Sequence, residues 1–229
     1  MIGVTENLRK IRDLLAEAAV DAGRDPASVK LLAVSKKQPL ERVLGAIAAG
    51  QREFGENQAA EGVEKIATLA NDDLVWHFIG HLQTNKTRIV AEHFQWVHSI
   101  DRFKTAKRLS DQRPDELGEL DICLQVNVDD EPSKSGVAPE EVADLAQQVL
   151  NLPKLRFRGL MCLPRIREGF DAQRRPFARL RALAAELRAG GIDIDTLSMG
   201  MSDDFRAAIF EGATIVRIGT AVFGPRMTT

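Results

Sequence analysis

Lys36 and Lys37 close an apolar run, Leu31-Leu32-Ala33-Val34-Ser35. A short run of this kind reads as a strand buried on both faces, as in parallel sheets. Lysine is rarely buried without a partner or a task. A strand delivering Lys36 to its C-terminal end therefore suggests an amine held for chemistry, a Schiff base being the obvious use. A solvated lysine pair where the strand exits to water would give the same letters. Other polar residues interrupt apolar runs at one parity. His77 alternates with Val75 and Ile79, Gln125 with Asn127, and Arg217 with Ile215 and Gly219. Side chains alternate across a strand, so such positions mark one inward face. A satisfied core histidine accounts for His77 as readily, but a guanidinium between apolar neighbours needs a defined partner. Two segments look built for an anion: Ser198-Met199-Gly200-Met201-Ser202-Asp203-Asp204 and Arg217-Ile218-Gly219-Thr220. A helix N-cap explains Ser202 and an ordinary turn explains Gly219-Thr220. Together with a lysine on the first strand and an arginine on the last, they resemble the phosphate-binding loops after strands seven and eight of a barrel.

The elements that must position these groups alternate. Val4, Leu8, Ile11, Leu15 and Ala18 recur at helical spacing among charges, which predicts an amphipathic N-terminal helix over about residues 3–22. Strands are expected at Val29 to Ser35, Glu53 to Gly55, Leu74 to Ile79, Trp96 to Ile100, Leu120 to Val128, Leu155 to Leu163, Ile194 to Met199 and Ala213 to Ile218. Helices are expected between them, with Pro39 and Pro139 opening two and Gly50 ending one. Repeated strand–helix alternation on this scale predicts an α/β fold, a single (β/α)8 TIM barrel spanning residues 1–229. An open doubly wound sheet is the alternative, but Ser35-Lys36-Lys37 stands where its glycine-rich dinucleotide loop would be.

The 229 residues are 44% hydrophobic and 28% charged, an ordinary globular composition. A formal net charge of -2 gives no general pull toward nucleic acid or an anionic membrane. No run approaches membrane-spanning length, and the first helix lacks the apolar core of a signal peptide. Cys123 and Cys162 sit in apolar runs without disulfide or zinc spacing, so no metal is expected and a reducing cytoplasm fits. The sequence contains no tyrosine.

Several segments resemble the pyridoxal phosphate homeostasis protein family. They are Ala33-Val34-Ser35-Lys36, Phe54-Gly55-Glu56-Asn57, His77-Phe78-Ile79-Gly80-His81-Leu82-Gln83-Thr84-Asn85-Lys86, Ser133-Lys134-Ser135-Gly136, Gly159-Leu160-Met161, Leu197 to Asp204, and Val216-Arg217-Ile218-Gly219-Thr220. The resemblance runs from the first strand to Gly224 and implies a barrel like the N-terminal domain of alanine racemase. It implies pyridoxal 5'-phosphate (PLP) bound covalently through Lys36. It further implies that Ser202, Gly219 and Thr220, with Ser198, hold the phosphate, that Arg217 faces the pyridine nitrogen, and that Met161 and Asn57 line the ring. His77 and Lys134 match the pattern without a defined role.

An arginine opposite the pyridine nitrogen has no acceptor for a ring proton, which weakens the cofactor as an electron sink. Racemases that carry one add a tyrosine base, and this sequence has none. The expected function is thus a non-catalytic carrier or buffer of PLP, with apo PLP-dependent enzymes as possible recipients. Lys37, Lys86 and Lys134 are conceivable acceptors of the imine, although a solvated surface role suits each. A PLP enzyme acting on amino acids is the alternative, and a Schiff-base aldolase ranks behind both. The short stretch after the eighth strand offers no assembly element, so a monomer is expected.

Overall fold

The computed structural model describes residues 2–131 and 135–225. Eight strands close into a parallel barrel in sequence order: β1 (Lys30–Val34), β2 (Glu53–Glu56), β3 (Val75–Phe78), β4 (Trp96–Ile100), β5 (Leu120–Gln125), β6 (Leu155–Met161), β7 (Thr196–Ser198) and β8 (Ile215–Ile218). The seam pairs β1 with β8, setting Leu32 beside Arg217. The helices are α1 (Ile2–Asp21), α2 (Leu40–Ala48), α3 (Ala59–Leu69), α4 (Thr87–His93), α5 (Phe103–Gln112), α6 (Val142–Leu150), α7 (Phe170–Ala189), α8 (Phe205–Phe210) and α9 (Thr220–Phe223). The expected single (β/α)8 barrel with an N-terminal helix is the fold observed.

Alternation across the strands divides the core in two. Outward residues such as Ala33, Phe54, Trp76, Val97, Ile122, Leu160 and Val216 pack under the helices. Inward residues Leu32, Trp96, Cys123, Met161 and Ile215 form a separate plug in the lumen, with Val75 and Ile79 against it. At the N-terminal end of the barrel, Asp121 pairs with Arg156 and Arg158, Arg158 with Asp195, and the Arg158 guanidinium lies 4.9 Å from the Trp96 ring centroid. Helix α1 buries Val4, Leu8, Ile11, Leu15, Ala18 and Ala19 against α2, α8 and α9. Asn7 Nδ2 ties it to the carbonyl of Val222 at 3.1 Å.

Several boundaries differ from expectation at the C-terminal ends of strands, where the chain turns to build loops. β5 ends at Gln125, not Val128, because Val126 leaves the ladder to bridge Val137. Asn127 then serves its own loop, donating to the Glu131 carbonyl at 2.8 Å. β6 and β7 stop at Met161 and Ser198. Helix α3 starts at Ala59, leaving Asn57 in the loop after β2.

Candidate functional site

The ends of the strands surround a cavity of about 790 Å³. Val34 and Lys36 reach it from β1 and the turn beyond, Asn57 from the loop after β2, and Ile79, Gly80 and His81 from the segment after β3. Met201 and Ser202 follow β7; Arg217 is next to last in β8, ahead of Gly219 and Thr220. This is the C-terminal face on which barrel sites are built.

Strand parity explains Lys36. Leu32 belongs to the lumen plug and Val34 lines the cavity, so Lys36 continues the inward series while Ser35 faces the helix layer. Ser35 is held from behind by a buried cluster. Its Oγ donates to Glu56 Oε1 at 2.6 Å, and Lys65 Nζ donates to the Ser35 carbonyl at 2.6 Å. Lys65 also reaches Glu56 Oε1 at 2.7 Å and Glu61 Oε1 at 2.8 Å. Glu61 accepts the backbone N–H of Lys37 at 2.5 Å, fixing Lys37 in the left-handed region (φ 56°) with its side chain exposed. Burial pushes the Glu56 carboxyl up against the pull of Lys65.

Arg217 is buried on the adjoining wall, on β8 beside β1. Its Nη1 donates to Ser198 Oγ at 2.7 Å and its Nη2 to the Cys162 carbonyl at 2.9 Å. No carboxylate pairs with it among the described residues. Burial lowers its pKa from the ordinary arginine value, yet a guanidinium remains charged. Asp204 stands nearest in charge; burial pushes its carboxyl up, and its Oδ1 accepts the Met201 N–H at 2.6 Å.

Between the two walls lies a polar cradle. Gly219 caps the single turn α9 and its carbonyl accepts the N–H groups of Val222 and Phe223 at 3.0 and 2.9 Å, which leaves the N–H groups of Thr220 and Ala221 at the cavity. A side chain at Gly219 would put its Cβ 3.3 Å from the Val34 carbonyl, so glycine keeps this wall thin. Gly200 adopts φ +92°, turning the chain after β7 so that Ser202 reaches the cavity. Asn57 Oδ1 is buried on the cavity wall without a hydrogen-bond partner, and Gly80 packs so closely behind it that a Cβ would lie 2.1 Å from the Asn57 carbonyl.

Of the residues singled out in the sequence, Lys36, Asn57, Ser202, Arg217, Gly219 and Thr220 share this cavity. His77, Met161 and Ser198 lie beneath it: Met161 in the lumen plug, His77 and Ser198 in a polar line running down the barrel. Ser133 and Lys134 lie outside the described residues. Sequence reasoning missed His98, which alternates with Trp96 on β4 and carries the same inward-polar signal as His77. It also missed the Glu56–Lys65 cluster, whose members come from β2 and α3. Cys123 and Cys162 are free and buried; burial pushes both thiols up, that of Cys162 to about 12, so neither is a ready nucleophile.

The alanine racemase N-terminal domain model matches residues 4–227 of the chain. The chain is 58% identical to the pyridoxal phosphate homeostasis protein of Pseudomonas aeruginosa, over 99% of this chain and 97% of that one. It is 49% identical to the protein of the same name from Escherichia coli, over 99% and 98%. Among solved structures it resembles PipY of Synechococcus elongatus with PLP bound, at a TM-score of 0.84 and 37% identity, covering 96% of this chain and 100% of that one. Alanine racemase from Corynebacterium glutamicum shares the fold, with a TM-score of 0.73 at 17% identity over 100% of this chain and 62% of the other.

Proposed function

The chain belongs to the alanine racemase N-terminal domain family, among its pyridoxal phosphate homeostasis proteins, and on that premise we propose that it binds PLP at the barrel mouth and holds it reversibly without substantial turnover. One observation carries the reading: an inward lysine, a buried arginine without a carboxylate partner among the described residues, and a cradle of N–H and hydroxyl groups open onto the same cavity. The residues fit the cofactor. Asn57 Oδ1 awaits a donor there, and the thin wall at Gly219 leaves room for an anion beside Ser202 and Thr220. PLP, when bound, supplies an aldehyde that a neutral amine can hold as a Schiff base and an aromatic ring that can withdraw electrons.

In this reading Lys36 is the covalent tether and Ser202, Gly219 and Thr220 bind the phosphate. Asn57 lines the ring, Met161 supports it from the plug below, and Arg217, braced by Ser198, faces its nitrogen. Arg217 has five donors and no acceptor, so it keeps that nitrogen unprotonated and favours retention over carbanion chemistry. The sequence supplies no tyrosine to act as a second base. A holding protein of this kind would serve the PLP-dependent enzymes of a cytoplasm, where Cys123 and Cys162 stay reduced, and no assembly is required for the cavity to form.

Borohydride treatment of PLP-loaded protein, followed by peptide mapping, is expected to place pyridoxyl on Lys36. Lys36→Ala is expected to abolish both the label and the visible absorption band; a label elsewhere refutes the assignment. One feature favours the competing amino-acid enzyme: His81 lines the cavity at its exposed rim, where a base would stand. Sustained turnover of D- or L-alanine by the loaded protein, lost in His81→Gln, would establish that reading instead.

A further inference from the structure

Beneath the cavity, polar side chains from five strands meet end to end in the lumen. Arg217 Nη1 lies 2.7 Å from Ser198 Oγ, Ser198 Oγ 2.8 Å from His98 Nδ1, and His98 Nε2 2.9 Å from His77 Nδ1. His77 Nε2 comes to 3.4 Å from Glu53 Oε2, a charge contact short of a formed hydrogen bond, and has no hydrogen-bond partner among the described residues. Ser198, His98 and His77 are fully buried. Glu53 emerges, partly exposed, at the N-terminal end of the barrel, where Lys30 Nζ approaches its other oxygen at 3.2 Å. The His77 ring stacks on Trp96 with centroids 5.2 Å apart, so neither imidazole can rotate freely to another partner.

One arrangement of hydrogens gives the Ser198 hydroxyl an acceptor and also points an N–H toward Glu53. Arg217 must donate, which uses one lone pair of Ser198. If the serine hydroxyl donates to His98 Nδ1, then His98 carries its proton on Nε2 and donates to His77 Nδ1. His77 then carries its proton on Nε2, facing a carboxylate. Reversing the direction leaves the buried Ser198 hydrogen without an acceptor among the described residues and turns the His77 lone pair toward Glu53. Adding a proton to either ring places a cation in a lumen that already holds Arg217, and burial, the largest influence, lowers the proton affinity of both imidazoles. The charged neighbours of the line are Glu53 from β2, Lys30 from β1, Asp121 from β5 and Arg217 from β8.

We propose that Glu53 is the remote counter-charge of Arg217, joined to it by a one-way chain in which Ser198, His98 and His77 each donate toward the base of the barrel. No proton moves along it. His77 and His98 are positioning residues: they fix the serine hydroxyl so that it offers Arg217 a lone pair, and thereby hold the guanidinium at the cavity wall. The consequence for the pyridine nitrogen rests on the cofactor reading above, whereas the polarity of the chain does not.

Nitrogen-15 NMR of the imidazole rings in cofactor-free protein tests the polarity directly. Both His77 and His98 are expected as neutral Nε2–H tautomers across the range around about 6.5 in which a free imidazole titrates. Glu53→Gln, a near-isosteric change at a partly exposed site, removes the charge that sets the direction. It is expected to introduce Nδ1–H tautomer at His98, a residue that Glu53 does not touch. His77→Phe, which keeps the stack on Trp96, is expected to weaken PLP binding about tenfold, the equivalent of one buried hydrogen bond left unmade. An Nδ1–H or doubly protonated ring in the unaltered protein, or a His98 signal indifferent to Glu53→Gln, overturns the chain. Absence of PLP binding by the unaltered protein overturns the pocket reading and leaves the NMR result standing.

Discussion

Lys36 and Lys37 are adjacent, and their side chains part because a strand alternates while the turn after it does not. From the letters alone either lysine qualified, since no polar residue on the first strand marks which parity faces inward. The structure supplies what was missing: Leu32 in the lumen plug and Val34 on the cavity wall set the series that Lys36 continues. Arg217 was legible, because an arginine inside an apolar strand has few uses. His98 shows the same parity signal, but its link to Arg217 was not legible, since His98 and Ser198 lie 100 positions apart and meet only once the barrel closes. Arg217→Met retains a long side chain but leaves Ser198 Oγ and the Cys162 carbonyl without their donor. Losing one charged hydrogen bond to the ligand costs about 1.5–3 kcal/mol, so PLP should bind roughly ten to a hundred times more weakly, as read by fluorescence titration.

Among the elements, β1 and α3 are joined by chemistry that periodicity does not reveal. The pattern over residues 57–69 announces a helix, but Lys65 within it reads as one more solvated charge; its burial follows from Glu56 lying beneath it on β2. Strand interiors were likewise legible from apolar runs, whereas strand ends were not, because β5 yields to a loop whose side-chain-to-carbonyl bonds, from Gln125 to Ser135 and Asn127 to Glu131, leave no periodic signal. Lys65→Met should strand the Glu56 carboxylate and cost about 3–5 kcal/mol in urea denaturation at neutral pH. The sign with pH follows from burial, which already pushes the Glu56 carboxyl up and would act unopposed in the variant. Folded protein then holds a proton that unfolded protein releases, so the variant gains stability as pH falls from neutral through that raised pKa. Its deficit should therefore shrink at about pH 5 relative to about pH 8. An equal deficit at both would show that Glu56 is not the group left behind. The same variant loosens the turn that presents Lys36, and its rate of PLP capture should drop with the stability.

For the molecule as a whole, α1 acts as a clasp across the seam. It packs on α2, which follows β1, and on α8 and α9, which flank β8, and Asn7 binds α9 directly. The amphipathic pattern of residues 3–22 foretold the helix but not which faces of the barrel it would join. Leu8, with no exposed surface, is central to the clasp, so Leu8→Ala should cost about 2–5 kcal/mol, a large share of the 5–15 kcal/mol typical of a domain. Saturating PLP should return part of that loss by mass action, seen as a larger ligand-induced rise in Tm for the variant than a fixed offset would allow.

The pairing of Leu32 with Arg217 across the seam has a consequence for the newly made protein. The lysine is translated early, whereas the arginine and its anion cradle are translated almost last. A polypeptide stalled on the ribosome before β8 would display Lys36 yet lack the adjoining wall of the pocket. On the proposed site assignment, capture of the cofactor is an event of the finished chain, and abandoned synthesis products would not drain the free cofactor from the cell.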